Sequence, residues 1–274
     1  MNPIAFEIFG LSVHWYGLII GAGLVLAMVL AVFIMHYRGF KRDLPLELIL
    51  WLFIPAVIGA RLYFLIFNGG PWDVRALYIW EGGMAIYGGV IGGAIGLAIW
   101  CLVKKINFLT IADVIVPCLA LGQCIGRWGN YVNQEAFGAE VTNPAWQSFP
   151  WAVFIERTGS WHMATFFYES VANLIIVAVL LILLKKVRVK GIVLSAYLIL
   201  YGIVRFILEC VRIESLMVGE VPISQIVSGL IIVGGLVLLI VQLVRYKKGK
   251  EKPVEVRPFR LQVDGTKKGA NKER

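Results

Sequence analysis

Seven long apolar runs are the feature that most restricts how this chain can fold. A run of ~20 such residues is long enough for an α-helix to cross the hydrocarbon core of a bilayer. Hydrophobic residues make up 59% of the 274 residues and charged residues only 16%, which is too apolar for a water-soluble domain of this size. We therefore predict an all-α polytopic membrane protein with about seven transmembrane helices. The predicted spans lie near residues 12–35, 46–67, 83–103, 109–126, 166–184, 191–210 and 223–244.

The positions of the basic residues predict the orientation of these spans. Twenty of the 26 lysines and arginines follow spans one, three, five or seven, which places all of them on the same side of the membrane. By the positive-inside rule this side is the cytoplasm, so the N-terminus is predicted outside and the C-terminus inside. The net charge of +9 is then an orientation signal with some attraction to anionic lipid, and it does not indicate a nucleic-acid partner.

The loops and the tail suggest how the rest of the chain is organised. The longest external connection, about residues 127–165, separates spans four and five and is predicted to form a small cap. It contains Trp146, Trp151 and Trp161, as expected at a membrane interface. We predict one transmembrane domain over residues 1–248 and a basic, disordered cytoplasmic tail over residues 249–274.

The stretch Gly122 to Gly138, GQCIGRWGNYVNQEAFG, is the first candidate for function. It brings Arg127, Asn130 and Glu135 to the membrane edge, where uncompensated polar groups are costly. An arginine beside amides suits a bidentate grip on a phosphate or carboxylate. The alternative is a helix end whose arginine snorkels to water. The six basic residues outside the cytoplasmic groups support an anionic ligand, because all are arginines: Arg61, Arg75, Arg127, Arg157, Arg205 and Arg212.

Span six carries a second polar group of residues. Tyr201, Arg205, Glu209 and Arg212 are spaced to form one stripe along a helix of 3.6 residues per turn. A ladder of ion pairs that only holds helices together is the alternative explanation. Two arginines against one glutamate leave a positive charge facing the bundle, which favours contact with a ligand.

Other spans add polar residues near their outer ends, as one shared cavity would require. They are His14, Tyr16, Arg61, Tyr87, His162, Tyr168 and Glu169. The glycines at positions 88, 89, 92, 93 and 96 predict close helix packing in span three. The four cysteines are predicted to be buried apolar residues rather than a disulfide set or a metal site.

These motifs together resemble the prolipoprotein diacylglyceryl transferases of bacteria. GRWGNYVNQEAFG is similar to the signature of that family. HWYG near the N-terminus, GGMAIYGG in span three and YGIVRFILECVR in span six resemble its other blocks, in the same order, between about residues 5 and 245. The resemblance implies a seven-span bundle in the bacterial cell membrane with its N-terminus outside.

The resemblance also implies a reaction. The family transfers the diacylglyceryl group of phosphatidylglycerol to the thiol of the lipobox cysteine of preprolipoproteins, forms a thioether and releases glycerol phosphate. This is the first step of bacterial lipoprotein maturation, and it needs no metal or organic cofactor. The implied partners are phosphatidylglycerol, the lipobox segment and the lipid bilayer. An anionic-lipid or solute transporter that uses the same arginines is the main alternative, and a structural or receptor-like membrane protein is another.

Site residues follow from the matched motifs and from the polar groups at the outer ends of the spans. The expected catalytic residues are Arg127, Tyr87, Arg205 and Asn130. The expected substrate-binding residues are Arg127, Glu135, Gly138, Tyr16, His14, Tyr201, Glu209, Arg212 and Arg61. Many family members have a histidine, assigned as the base, at the position of Tyr87, and a neutral phenol is a poor base at neutral pH. The acceptor of the thiol proton is therefore open between Tyr87, Glu209 and the leaving phosphate, with Tyr87 otherwise orienting the substrate.

Overall fold

Seven long helices make up most of the chain in the computed structural model. The structure describes residues 4–8, 11–41, 44–70, 72–73, 76, 78, 82–213, 217–218, 221–250 and 253. The helices are α1 Trp15–Tyr37, α2 Leu44–Asn68, α3 Ile86–Lys104, α4 Phe108–Val132, α5 Thr165–Lys186, α6 Ile192–Glu209 and α7 Ile223–Lys247. All seven are long and apolar enough to cross a membrane, which confirms the predicted spans. Arg42, Arg75 and nearly all of the tail whose disorder was predicted lie outside the described residues.

Short antiparallel hairpins lie at the same end of the bundle. β1 Ile4–Ile8 pairs with β2 Leu11–His14 before α1, and β5 Met217–Val218 pairs with β6 Val221–Pro222 before α7. The connection between α4 and α5 contains a 3₁₀ turn at Pro144–Trp146 and the hairpin of β3 Ala152–Ile155 and β4 Ser160–Met163. This small folded unit is the cap that the long connection predicted.

The lipid environment explains where the large apolar side chains point. Exposed ones occur along every helix, including Phe33, Leu50, Ile91, Ile175 and Leu230. Lipid tails are as apolar as these side chains, so their exposure carries no hydrophobic penalty in a bilayer. Close packing therefore depends on shape and on the few polar groups between the helices.

Glycines set the distance between α2 and α3. An added Cβ at Gly88, Gly92 or Gly96 would lie 2.1–2.2 Å from a backbone carbonyl oxygen of α2. At Gly93, in contrast, it would meet Ala56 Cβ at 3.7 Å and the carbonyl oxygen of Leu52 at 3.9 Å, both ordinary contacts. The predicted close packing is confirmed for Gly88, Gly92 and Gly96. At Gly89 and Gly93 a methyl group would make only ordinary contacts with α2.

Helix α4 is the centre of the bundle and contacts α1, α5 and α6. Asp113, which is 2% exposed, accepts hydrogen bonds from the backbone N–H groups of Gly191 at 2.7 Å and Leu194 at 2.8 Å. A carboxylate on α4 thus caps the N-terminus of α6, where the helix dipole is positive. This contact fixes where α6 begins against α4, and with it the position of the polar residues further along α6.

The structure corrects two details of the sequence predictions. Helix α4 continues to Val132, six residues beyond the predicted span, so Arg127 and Asn130 lie on its last turns and not in the loop. It continues because these side chains find partners inside the protein. Cys101, Cys118 and Cys124 are buried and unbridged as predicted, but Cys210 is exposed because α6 ends beside it at Glu209.

Candidate functional site

Two arginines and two glutamates from three helices form a buried cluster at one end of the bundle. Glu169, in the first turns of α5, is 3% exposed and forms ion pairs with Arg127 of α4 and Arg205 of α6. The Arg205 Nη1 to Glu169 Oε2 distance is 3.5 Å. Arg205 Nη2 lies 2.7 Å from Oε2 of Glu209, one turn later on α6. One carboxylate therefore joins the arginine of the signature to the arginine of span six.

Hydrogen bonds beside this cluster fix the register of α4 against α5. Trp128 Nε1 donates to Ser170 Oγ at 3.1 Å, and Ser170 Oγ donates to the carbonyl of Cys124 at 2.8 Å. These residues are sequence neighbours of Arg127 and Glu169 or lie one turn away. The two helices thus hold the arginine and the carboxylate opposite each other.

The end of α4 extends the polar network. Arg127 Nη1 donates to Asn130 Oδ1 at 3.3 Å, and Asn130 Nδ2 donates to Glu135 Oε1 at 2.8 Å. The chain turns sharply after the helix, with positive φ at Gln134 (49°) and Ala136 (57°). This turn brings Glu135 back towards Asn130, which explains the short spacing of the polar residues in the signature.

Arg212 reaches the cluster through a backbone contact and not through the helix. α6 ends at Glu209, so the predicted stripe is wrong at its last member. Arg212 instead forms a β-bridge with Gly138, and Ala139 N donates to the carbonyl of Val211 at 2.8 Å. A Cβ at position 138 would lie 2.8 Å from Thr165 Cγ2 and 2.9 Å from Met163 Cβ, so only glycine fits there.

Arg212 adds a third positive charge in a poorly solvated place. Burial, and after it the like charge of Arg205, lowers the pKa of Arg212 from its usual value. Its Nε–H is buried and meets no acceptor among the described residues. A buried donor without an acceptor is costly, so this position suits an oxygen-rich anion.

Two tyrosines complete the surroundings of Arg127. The ring of Tyr16, at the start of α1, lies against Gly129, where an added Cβ would be 2.8 Å from Tyr16 Cδ2. Tyr16 is close enough to Glu135 and Arg127 to interact with both charges. Tyr201 contacts the Arg127 side chain from α6 and stacks on Tyr197 with ring centroids 5.5 Å apart. The structure therefore brings residues from α1, α4, α5 and α6 together around the two arginines.

Three predicted site residues lie elsewhere at this end of the bundle. Tyr87 is half-exposed on α3, and its ring contact is with Tyr63 of α2 at 6.4 Å. No hydrogen bond, ion pair or ring contact among the described residues joins it to Arg127 or Arg205. Arg61 donates to the carbonyls of Ala76, Gly82 and Gly83, which ties down the connection between α2 and α3. His14 is exposed and precedes α1 without capping it.

The structure adds one residue to the set that the sequence predicted. The sequence indicates Glu169 only as one of several polar residues near a span end, whereas in the structure it contacts both arginines. A carboxylate inside a long apolar run signals function or a buried partner, and that signal was present in the sequence. Its partners lie 42 and 36 residues away along the chain, so the pairing itself required the packed structure.

A cavity of about 510 Å³ lies beside the cluster, between the end of α4 and the β3–β4 hairpin. Its walls are mainly apolar, and half of the lining residues are aromatic: Trp128, Tyr131, Phe149, Phe154 and Trp161. Arg127, Arg205 and Arg212 are not part of its lining. This cavity is therefore adjacent to the charged cluster and does not contain it.

Comparison with known proteins gives a consistent result over nearly the whole chain. The sequence model of the family described as "Prolipoprotein diacylglyceryl transferase" matches residues 3–241. A relative from Clostridium perfringens, named phosphatidylglycerol–prolipoprotein diacylglyceryl transferase 1, is 40% identical over 92% of this chain and 98% of its own length. Relatives from Finegoldia magna and Clostridium novyi carry the same name without the number. The Finegoldia magna relative is 38% identical over 90% of this chain and 97% of its own length. The Clostridium novyi relative is 39% identical over 88% of this chain and 95% of its own length.

Proposed function

The chain belongs to the prolipoprotein diacylglyceryl transferase family, and on that basis we propose that it transfers the diacylglyceryl group of phosphatidylglycerol to the lipobox cysteine of preprolipoproteins. It is a transferase and a multi-pass protein of the bacterial inner membrane. The transfer forms a thioether and releases glycerol phosphate, and it is the first step of lipoprotein maturation. The transporter and receptor-like alternatives have no comparable support.

The observation that carries this proposal is the charge balance of the buried cluster. Among the described residues away from solvent, Arg127, Arg205 and Arg212 exceed the two buried carboxylates of Glu169 and Glu209 by one positive charge. Glu135, which joins this network through Asn130, is exposed to solvent. The phosphodiester of phosphatidylglycerol carries one negative charge. Its oxygens also suit the Nε–H of Arg212, for which the described residues provide no acceptor. The charge and the hydrogen-bond donors of the arginine cluster therefore both match the phosphatidylglycerol headgroup.

The proposed roles follow from the reaction. The sulfur of the acceptor attacks a glyceryl carbon as a thiolate, and the bond from that carbon to the phosphate oxygen breaks. Negative charge develops on the leaving phosphate, where Arg127 and Arg205 stabilise it. Asn130 and Glu135 hold Arg127 in position, while Tyr16 and Tyr201 line the approach to it. Gly138 admits Arg212 to the cluster.

A direct assay tests the function. Purified protein, phosphatidylglycerol vesicles and a lipobox peptide are mixed, and the peptide mass is followed. We expect a peptide heavier by one diacylglyceryl unit, together with released glycerol phosphate. A peptide whose cysteine is replaced by serine is the matched control and should stay unmodified. Failure of the wild-type protein to modify the cysteine peptide under conditions where it is folded would refute the proposal.

The orientation of the site is a separate prediction. The basic residues Arg38, Lys104, Lys105 and Arg188 lie at the end of the bundle opposite the arginine cluster. We therefore expect the cluster to face the outside. A reporter fused after residue 188 should read cytoplasmic, and one inserted between residues 140 and 160 should read external. The reverse result would place the cluster at the cytoplasmic face and contradict this topology.

Replacing all four cysteines should leave turnover nearly unchanged, because the reacting thiol belongs to the substrate. We expect rates within a few-fold of wild type for the variant with Ala or Ser at Cys101, Cys118, Cys124 and Cys210. The cost should appear in thermal stability, since three of these side chains are buried. A folded cysteine-free variant with no activity would indicate a covalent thiol intermediate on the enzyme and contradict direct transfer.

A further inference from the structure

The thiol of the lipobox cysteine must give its proton to a base, and the structure indicates which residue can be that base. The sulfur must be deprotonated to attack, and a base has to lie within hydrogen-bond reach of the proton. Tyr87, at the position where many family members have a histidine, packs beside Tyr63 and makes no described contact with the arginines. The carboxylates inside the cluster are therefore better placed.

Glu169 differs from Glu209 in how it meets the arginines. Glu209 pairs with Arg205 at 2.7 Å within one helix, four residues apart, so this contact is local to α6. Glu169 reaches from α5 and is shared by Arg127 on α4 and Arg205 on α6. A phosphate that engages both arginines must compete with Glu169, the partner they share.

We propose that Glu169 accepts the proton of the acceptor thiol once the lipid phosphate has taken its place on Arg127 and Arg205. This inference rests on the proposed transferase function. While it is paired with two guanidinium groups, the carboxylate is engaged by them and is not open to the thiol. When phosphate occupies those groups, the carboxylate of Glu169, which is 3% exposed, is left without its cations in a poorly solvated place, and uptake of the S–H proton removes that uncompensated charge. Binding of the lipid thereby activates the base.

The charged and titratable groups near Glu169 support this exchange. They come from α4, from α6 and from the turn after α6: Arg127, Tyr197, Tyr201, Arg205, Glu209 and Arg212. Among them Glu209 is the one carboxylate, and arginine and tyrosine side chains are poor proton acceptors at neutral pH. Glu209 retains its contact with Arg205 within α6, whereas Glu169 is the one displaced.

The step balances in atoms and charge. The S–H proton moves to an oxygen of Glu169 as the sulfur forms its bond to the glyceryl carbon. The carbon–oxygen bond breaks, and its electron pair stays on the phosphate oxygen of the leaving glycerol phosphate. Glu169 then returns the proton to that phosphate, whose second pKa is about 6, or to water. The carboxylate regains its two arginines as the product leaves.

Replacing the acceptor sulfur of the peptide by selenium tests whether Glu169 acts as a base or has only a structural role. A selenol is far more acidic than a thiol and is ionised at neutral pH, so it needs no base. Initial rates are measured with two lipobox peptides that differ only in cysteine or selenocysteine at the acceptor position, under reducing conditions. For Glu169→Gln we expect the cysteine rate to fall about 100-fold or more, as for loss of a general base. The selenocysteine rate should stay within about 5-fold of wild type, and the KM for phosphatidylglycerol should not rise.

Control variants make the outcome decisive. Glu209→Gln should lower both peptide rates by similar factors, and Tyr87→Phe should leave their ratio unchanged. The proposal would be overturned if Glu169→Gln lost the same factor in rate with both peptides. It would also be overturned if Tyr87→Phe were slow with the cysteine peptide and recovered its rate with the selenocysteine peptide. If Glu169→Gln does not insert into membranes, Glu169→Asp keeps the charge but withdraws the carboxylate, and the same selective rescue is expected. A wild-type protein that fails to modify the cysteine peptide would refute the transferase function instead.

Discussion

Arg127→Lys is expected to lower the initial rate of diacylglyceryl transfer by about 100-fold or more, which is typical for removal of one preorganised donor to a developing negative charge. The substitution keeps the positive charge but removes the planar fork of donors. In the structure that fork is divided between Glu169 and Asn130, through Nη2 and Nη1. A lysine ammonium is a single point of charge and cannot keep both contacts in place.

The loss should appear mainly in kcat. Arg127 is proposed to bind the phosphate more strongly as charge grows on the leaving oxygen, and only such differential binding accelerates the chemical step. Arg205→Lys should behave in the same way, because Arg205 also joins two carboxylates. The double variant should lose less than the product of the two single losses, since both arginines act on one phosphate.

Arg157→Lys is the matched control for this prediction. Arg157 lies in the connection between α4 and α5, with its guanidinium 5.7 Å from the ring centroid of Phe137, and it is not part of the cluster. Its replacement should change the rate by less than about 3-fold, because an exposed cation–π contact contributes only about 0.5–1 kcal/mol. An Arg127→Lys protein with near wild-type turnover would show that a point charge is enough and that bidentate recognition is the wrong account.

Gly92→Ala is expected to destabilise the protein strongly while Gly93→Ala, one residue further along α3, is tolerated. At position 92 the new methyl group would lie 2.1 Å from the carbonyl oxygen of Pro55 and 2.9 Å from its carbonyl carbon. These are backbone atoms within α2, so they cannot move aside without separating the two helices. Overpacking of this kind costs about 1–3 kcal/mol or more.

Gly93 provides the opposite case within the same turn. Its added Cβ would meet Ala56 Cβ at 3.7 Å, an ordinary van der Waals contact. Alanine also favours the helix over glycine by up to about 1 kcal/mol. Thermal unfolding of the two variants in the same detergent measures the difference. Equal midpoints for Gly92→Ala and Gly93→Ala would mean that α2 and α3 do not pack as closely as the structure shows.

The proposed mechanism gives the buried ion pairs a role in keeping the arginines in place before the substrate binds. Two glutamates hold Arg127 and Arg205 in place before any phosphate arrives, at the cost of desolvating the ion pairs. In the mechanism proposed above, the lipid headgroup then takes the place of Glu169 on these two arginines. This exchange links binding of the lipid to the availability of a base, as the role proposed for Glu169 requires.

The number and approximate positions of the membrane helices could be predicted from the sequence alone. In lipid the backbone must satisfy its own hydrogen bonds, so the length of each apolar run determines a helix, and seven runs became seven helices. Arg127 and Arg205 could be singled out because charges inside such runs are costly unless they have a purpose. The small residues of span three likewise predicted a close helix contact, which α2 and α3 form.

Only the tertiary structure decided which of the polar residues meet. Glu169 joins Arg127 and Arg205 because α5 packs against α4, and Arg212 enters the cluster because its chain pairs with Gly138 after α6 has ended. Tyr87 lies on the face of α3 near Tyr63. Spacing along one helix predicts which residues share a face, but contacts between helices depend on packing distances and rotations that a single sequence does not contain.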